Sequence, residues 1–290
     1  MLSMLKDNPI YFKESRGLSR NRNLLFQNVA NAVVYPLILV APFLIVAFIT
    51  LADINGGTRD FARRLTEILK GCFYFSAGIQ FFYVLIASAN ATQFAFTREK
   101  EQKTYDSLIC SLMTPQEILT GKLFTALYPV IGTLVLYSPL FFIMGLLSGA
   151  ALEGLIVVFL FSIAFSLFCG VVSLYSSALA PTGQKAQSYL TSFMALLIIA
   201  TWIGDWIGNG ILHTMGGHTF PFLPFLVFFN PGTGYASAMY LMAGAKHYNC
   251  MSDPYSYFHL FWLVCLLTMA LFSFMFWRAT LRKLGEIAKE

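Results

Sequence analysis

The sequence predicts an all-α polytopic membrane protein with six transmembrane helices, and three observations carry that prediction. Of its 290 residues, 57% are hydrophobic and 11% charged, whereas a soluble domain carries roughly a quarter charged residues. The charges are clustered, leaving apolar runs of about the 20 residues that a helix needs to cross a hydrocarbon core roughly 30 Å thick. The basic residues concentrate on alternate connections between those runs.

The apolar runs place the spans at 29–51, 71–94, 123–148, 155–180, 188–208 and 258–277. Prolines 36, 42, 129 and 139 fall inside would-be helical turns. Membrane helices tolerate them where neighbouring groups satisfy the freed carbonyls, so they predict kinks and not span ends. With six spans both termini share a side. Fourteen Lys and Arg lie on that side: five in residues 1–28, four in 95–122, Lys185, and four beyond the last span. Five lie on the other, and the positive-inside rule puts both termini in the cytoplasm. The first 28 residues are polar and basic and lack the small-residue cleavage site of a secretory signal, so they are expected to be retained.

Two outer connections are predicted. In 58–70, Arg59, Arg63, Arg64 and Lys70 alternate with Asp60 and Glu67, while Phe61, Leu65, Ile68 and Leu69 make an apolar face at helical spacing. That pattern predicts an amphipathic helix lying along the outer surface. The segment 209–257 is long and apolar. Its pieces 220–229 and 234–245, separated by the turn Asn230-Pro231-Gly232, are too short to cross and read as external re-entrant helices before the last span; an ordinary structured loop is the alternative.

The cytoplasmic connection 95–122 carries the most information. Thr114, Pro115 and Glu117 occupy N-cap, N1 and N3 of a new helix, the capping-box pattern, and that helix runs into the third span. Upstream, Glu99, Glu101 and Asp106 interleave with Arg98, Lys100 and Lys103. On charge alone this is a solvated face. As an exposed, structured element joining two membrane helices it also suits a lever pushed by a soluble partner.

Several chemistries find no support. The net charge of +5 forms no continuous stripe, so no nucleic-acid partner is indicated. The five cysteines include no close pair; a zinc site is not indicated and free thiols are expected, with a pairing of Cys72 and Cys250 left open. His213, His218, His247 and His259 have no i, i+4 spacing. Asp205 lies between Trp202 and Trp206 and is read as interfacial. The scarcity of other intramembrane charge counts against an ion-coupled secondary transporter, the alternative reading, because such carriers need ionisable relays at membrane depth. A membrane-embedded enzyme would need converging nucleophile, base or metal ligands, and none is evident.

The residues of 95–122 resemble those of the permeases of type 2 ABC exporters. Glu99, Glu101, Thr104, Asp106, Leu108, Leu112, Thr114, Pro115, Glu117, Ile118, Gly121 and Lys122 follow that family's pattern in order and spacing. Asn8-Pro9, then Glu14 and Arg16, resemble its start before an amphipathic elbow helix. Lys103 departs from the pattern, standing where the family often has glycine, a residue suited to positive φ. The resemblance implies a single transmembrane domain over 1–290, with a cytoplasmic elbow at 1–28 and a coupling loop at 95–122, in the bacterial inner or plasma membrane. It implies a partner ABC ATPase subunit that binds ATP and Mg, and a second permease, identical or homologous. Glu14, Arg16, Glu99, Glu101, Thr104, Tyr105, Asp106, Thr114 and Glu117 are then the expected coupling residues. No cofactor is expected in the chain itself: Gly121-Lys122 is followed by Leu123 and lacks the upstream glycine of a phosphate loop. The aromatic and then small, polar character of the second span suggests a path for an amphiphilic or lipid-like substrate. Its candidate lining is Phe75, Phe82, Asn90 and Gln93, with Tyr189 and Ser192 from the fifth span.

Overall fold

The computed structural model describes residues 33, 35–37, 39–41, 43–45, 58–105, 113–201, 203, 229–242 and 261–287. Their regular structure is helical. In chain order the helices are α1 (Thr58–Thr92), α2 (Thr97–Glu101), α3 (Pro115–Leu136), α4 (Ser138–Leu147), α5 (Leu152–Leu179), α6 (Gly183–Ala195), α7 (Pro231–Met242) and α8 (Phe261–Ile287). A π-helical turn, Leu196–Ala200, continues α6. Among the described residues α1, α3 with α4, α5 and α8 supply four stretches long and apolar enough to cross a membrane. The first predicted span is described only at positions between Val33 and Ile45, and the fifth only as far as Ile203. The elbow segment 1–28 lies outside the described residues.

Helix α5 is the axis of the bundle. Within its most apolar window 61% of the residues are buried, against 11% in α8. The buried side chains Leu155, Val158, Phe161, Phe165, Phe168 and Val172 meet Phe73, Ala77, Phe81 and Val84 of α1, Tyr235, Ala238 and Met242 of α7, and Cys265 and Met269 of α8. By contrast Leu263, Leu267, Leu271, Phe274 and Met275 of α8 point outward, as expected of a helix with one face in lipid. Small hydroxyl residues let α1 approach α5 closely and pair across it. Gln80 Nε2 donates to Ser162 Oγ (3.1 Å), Ser88 and Ser166 share a hydrogen bond (2.8 Å), and Ser173 Oγ donates to the Ala89 carbonyl (2.9 Å). The start of α5 sits on the end of α7: Ala151 N donates to Met242 O (2.8 Å), and a Cβ on Gly154 would strike the Met242 backbone.

One expectation is corrected. Residues 58–70 do not form a separate surface helix; they are the first turns of α1, a continuous 35-residue helix about 52 Å long. The helical period was right, but nothing between Lys70 and Gly71 stops the helix. The kink expected at Pro139 in the third span is present, at Tyr137 between α3 and α4. Pro139 removes the N–H that would reach the Val135 carbonyl, and Ser138 Oγ takes that carbonyl at 2.8 Å. Pro129, in contrast, is carried inside α3. A helix starts at Asn230-Pro231-Gly232: Gly232 N donates to Asn230 Oδ1 (2.8 Å), with Pro231 as the first residue of α7. The 12 described residues of α7, about 18 Å long, pack on α5 and α8. The 220–228 piece lies outside the described residues.

Candidate functional site

The site is built where α1 ends, on the side of the bundle that carries Arg98, Lys100, Lys103 and Lys122. Beyond Thr92 the chain turns through Gln93–Phe96 and enters α2, five residues long. So short a helix cannot hold itself together; its N-terminal amides are satisfied from elsewhere. Phe96 N and Thr97 N both donate to Ser177 Oγ of α5, at 3.0 and 3.2 Å. At the other end Thr104 N reaches Glu99 O (2.9 Å) and Lys103 N reaches Lys100 O (3.2 Å). This is the Schellman pattern, which places one residue in the left-handed region. That residue is Lys103, with φ of 56°, at the position where the resemblance leads one to expect glycine.

The charges of this segment are turned inward more than a solvated face would be. Lys122, on α3, is 1% exposed; its Nζ meets Glu99 Oε1 (2.8 Å) and the Ala95 carbonyl (2.8 Å). It also lies 5.3 Å from the centre of the Phe96 ring. Lys100 Nζ donates to the carbonyls of Ala178 (2.6 Å), Ala180 (2.9 Å) and Ser177 (3.4 Å), closing the C-terminus of α5. Glu101 Oε1 accepts from Gly183 N (3.0 Å) at the N-terminus of α6. Lys100 and Glu101 thus each face the complementary end of a helix dipole. Beneath them Phe96, Tyr105, Leu119, Leu123, Leu174 and Leu284 form a second apolar cluster.

The predicted capping box is present. Glu117 N donates to Thr114 Oγ1 (3.3 Å), and Thr114 N donates to Glu117 Oε2 (2.8 Å). Among the other expected coupling residues, Thr104 is exposed, and Tyr105 is buried edge-on to Phe96. Glu14, Arg16 and Asp106 lie outside the described residues. The structure therefore brings Glu99, Glu101, Thr104 and Tyr105 around one short helix. Sequence reasoning missed Ser177, Gly183 and the roles of Lys100 and Lys122, whose partners lie far away in sequence.

The candidate path residues fall on two outward faces. Phe75 (64% exposed), Phe82 (59%), Ile86 and Asn90 share one face of α1, while Gln93 is buried and donates to Asn90 Oδ1 (3.2 Å). Tyr189 (50% exposed) and Ser192 lie on the outward face of α6. Asp205 and all four histidines lie outside the described residues, among which no metal-ligating cluster occurs. Cys72, Cys169 and Cys265 are free thiols; Cys110 and Cys250 are outside the described residues.

Compared with known families, residues 10–201 match the model of the ABC-2 type transporter. That is more than half of the chain and includes α1 through α6 with the whole site around α2. The chain belongs to the ABC-2 type transporter family. It is accordingly a membrane transport component and not a catalytic domain. No curated protein gives a significant match to the chain. The ABC-2 match ends within the fifth span, so α7 and α8 are described by their packing on α5 alone.

Proposed function

We propose that this ABC-2 protein is the permease subunit of an ATP-driven exporter, coupled to a separate nucleotide-binding subunit that holds ATP and Mg. The observation that carries the reading is the construction of α2. Its inner side is fixed by Ser177, Lys122 and the Phe96 cluster and Glu101 is tied to Gly183, while Gln102, Lys103 and Thr104 are exposed at its edge. A rigid, exposed edge between two membrane helices is what a soluble motor subunit needs to push on. Glu99 and Tyr105 support that edge from behind, Thr104 lies on it, and in this proposal the capped start of α3 at Thr114 and Glu117 belongs to the same docking surface. Asp106 and the elbow residues Glu14 and Arg16 complete the docking surface in this proposal.

In this reading each permease has six spans and both termini in the cytoplasm of a bacterial inner or plasma membrane, and a second permease, identical or homologous, completes the membrane part. The aromatic outward face of α1, with Phe75, Phe82 and Asn90, and the face of α6 with Tyr189 and Ser192 suit an amphiphilic, lipid-like substrate moving between two such permeases. The test is purification of the tagged chain from its native membrane. An ATP-hydrolysing subunit is expected to copurify with the wild-type chain and to be lost from Lys103→Glu, since charge reversal at a docking edge can cost several kcal/mol. Transport that persists without ATP and follows an ion gradient would overturn the reading.

A further inference from the structure

The residues that hold α2 close on one particular place, the turn from Ala180 to Thr182 between α5 and α6. Ser177 receives two amides of the α2 start, Lys100 covers the last carbonyls of α5, and Glu101 takes the first amide of α6. Adjacent residues of one short helix therefore grip the end of one membrane helix and the beginning of the next. The packing is close: a Cβ on Gly183 would lie 2.5 Å from Phe94 Cε1. The two gripped helices differ in how firmly they are held. Helix α5 is buried among its neighbours, whereas α6 is anchored by a single stripe of Gly183, Ala186, Leu190 and Met194. A π-helical turn follows at once, at Leu196–Ala200, and such turns inside helices occur frequently at functional sites.

The geometry points to Lys100 and Glu101 as positioning residues that deliver a displacement of the α2 edge to α6, the fifth span. This rests on the reading of α2 as the docking edge for an ATPase. A tilt of α2 acts on both helix ends at once; α5, packed on several sides, resists, and α6 gives. The moving face then carries Tyr189 and Ser192. The interleaved charges of 95–122 thus have two duties, with the exposed edge for the partner and Lys100 and Glu101 for the chain's own fifth span.

The test uses the full chain with the ATPase subunit that copurifies with it, reconstituted in nanodiscs. Hydrogen exchange of amides 183–195 is followed with and without ATP plus vanadate in wild type, Glu101→Gln, Glu101→Ala and Lys100→Met. Without nucleotide, Glu101→Ala should speed exchange at the start of α6 roughly two- to thirtyfold, the range for a lost helix cap. Glu101→Gln should restore protection, because its amide oxygen accepts the same N–H. The nucleotide-dependent change across 183–195 should be present in wild type and Glu101→Gln and absent in Glu101→Ala and Lys100→Met, with the ATPase still bound to all four. Glu101 is exposed, so its replacement leaves folding intact and decides the matter if Lys100→Met does not accumulate. If Glu101→Ala binds the ATPase and shows the wild-type nucleotide response in α6, the proposal is overturned. If wild type binds no ATPase, it is the docking reading that fails, a distinguishable result.

Discussion

The α1–α5 seam inside the membrane and the α2 junction at the basic end solve the same problem with different chemistry. Both join segments distant in sequence through polar contacts. Along the seam those contacts are neutral: Gln80 with Ser162, Ser88 with Ser166, Ser173 with the Ala89 carbonyl. At the junction they are charged: Lys122 with Glu99, Lys100 on the end of α5, Glu101 on the start of α6. The difference follows from desolvation. A charge within the hydrocarbon is expensive, whereas near the aqueous boundary a charge facing a helix end or an opposite charge is favourable. It follows that the seam should tolerate loss of single polar groups and the junction should not.

The largest expected effect that would break this contrast is at the buried ion pair. Glu99→Ala leaves the Lys122 ammonium buried without its carboxylate and should lower stability by about 3 kcal/mol, as for a buried pair deprived of one partner. Thermal denaturation in detergent would measure it, and Lys122→Met in the same background should recover part of the loss. This replaces the expectation that the charge run is merely a solvated face. A smaller loss is expected for Thr114→Ala, about 1 kcal/mol from the capping box, read as increased hydrogen exchange in the first turn of α3. A gain is expected for Lys103→Gly, up to about 1 kcal/mol, because glycine adopts the positive φ of 56° without strain. A lower melting temperature for that variant would contradict the Schellman geometry. The smallest effect is expected in the seam, where Ser88→Ala should cost only about 0.6 kcal/mol, the average for a polar contact between membrane helices. An effect as large as that of Glu99→Ala would erase the distinction between the two regions.

What the sequence made legible was local. The capping box at Thr114 depends on residues three apart, and the kink at Pro139 depends on one missing N–H; both could be read directly. The identity of Lys103 as an outlier was legible through the family resemblance, and its φ shows why glycine suits that position. The extension of α1 back to Thr58 was misread because a change from apolar to amphipathic composition looks like a boundary, although the helical period continues through it. The grip of Lys100 and Glu101 on the α5–α6 turn was illegible for a different reason. Its partners are about 80 positions away, at Ser177 to Gly183, and nothing in a run of alternating charges distinguishes a solvated lysine from one that closes a helix. The π-helical turn at Leu196–Ala200 likewise has no mark in an unbroken apolar run.

The central claim is that the α2 edge is where a separate ATPase meets this ABC-2 membrane domain, and site-specific photocrosslinking tests it most directly. A benzophenone amino acid is placed at Thr104, on the exposed edge, and in a second variant at Phe82, on the outward membrane face of α1. Membranes are irradiated, the tagged chain is purified, and crosslinked products are assayed for binding of a radiolabelled azido-ATP. The account predicts an ATP-binding adduct from Thr104 and none from Phe82. If Thr104 gives no such adduct while the wild-type chain still copurifies with an ATP-hydrolysing subunit, the motor docks elsewhere and the assignment of α2 is wrong.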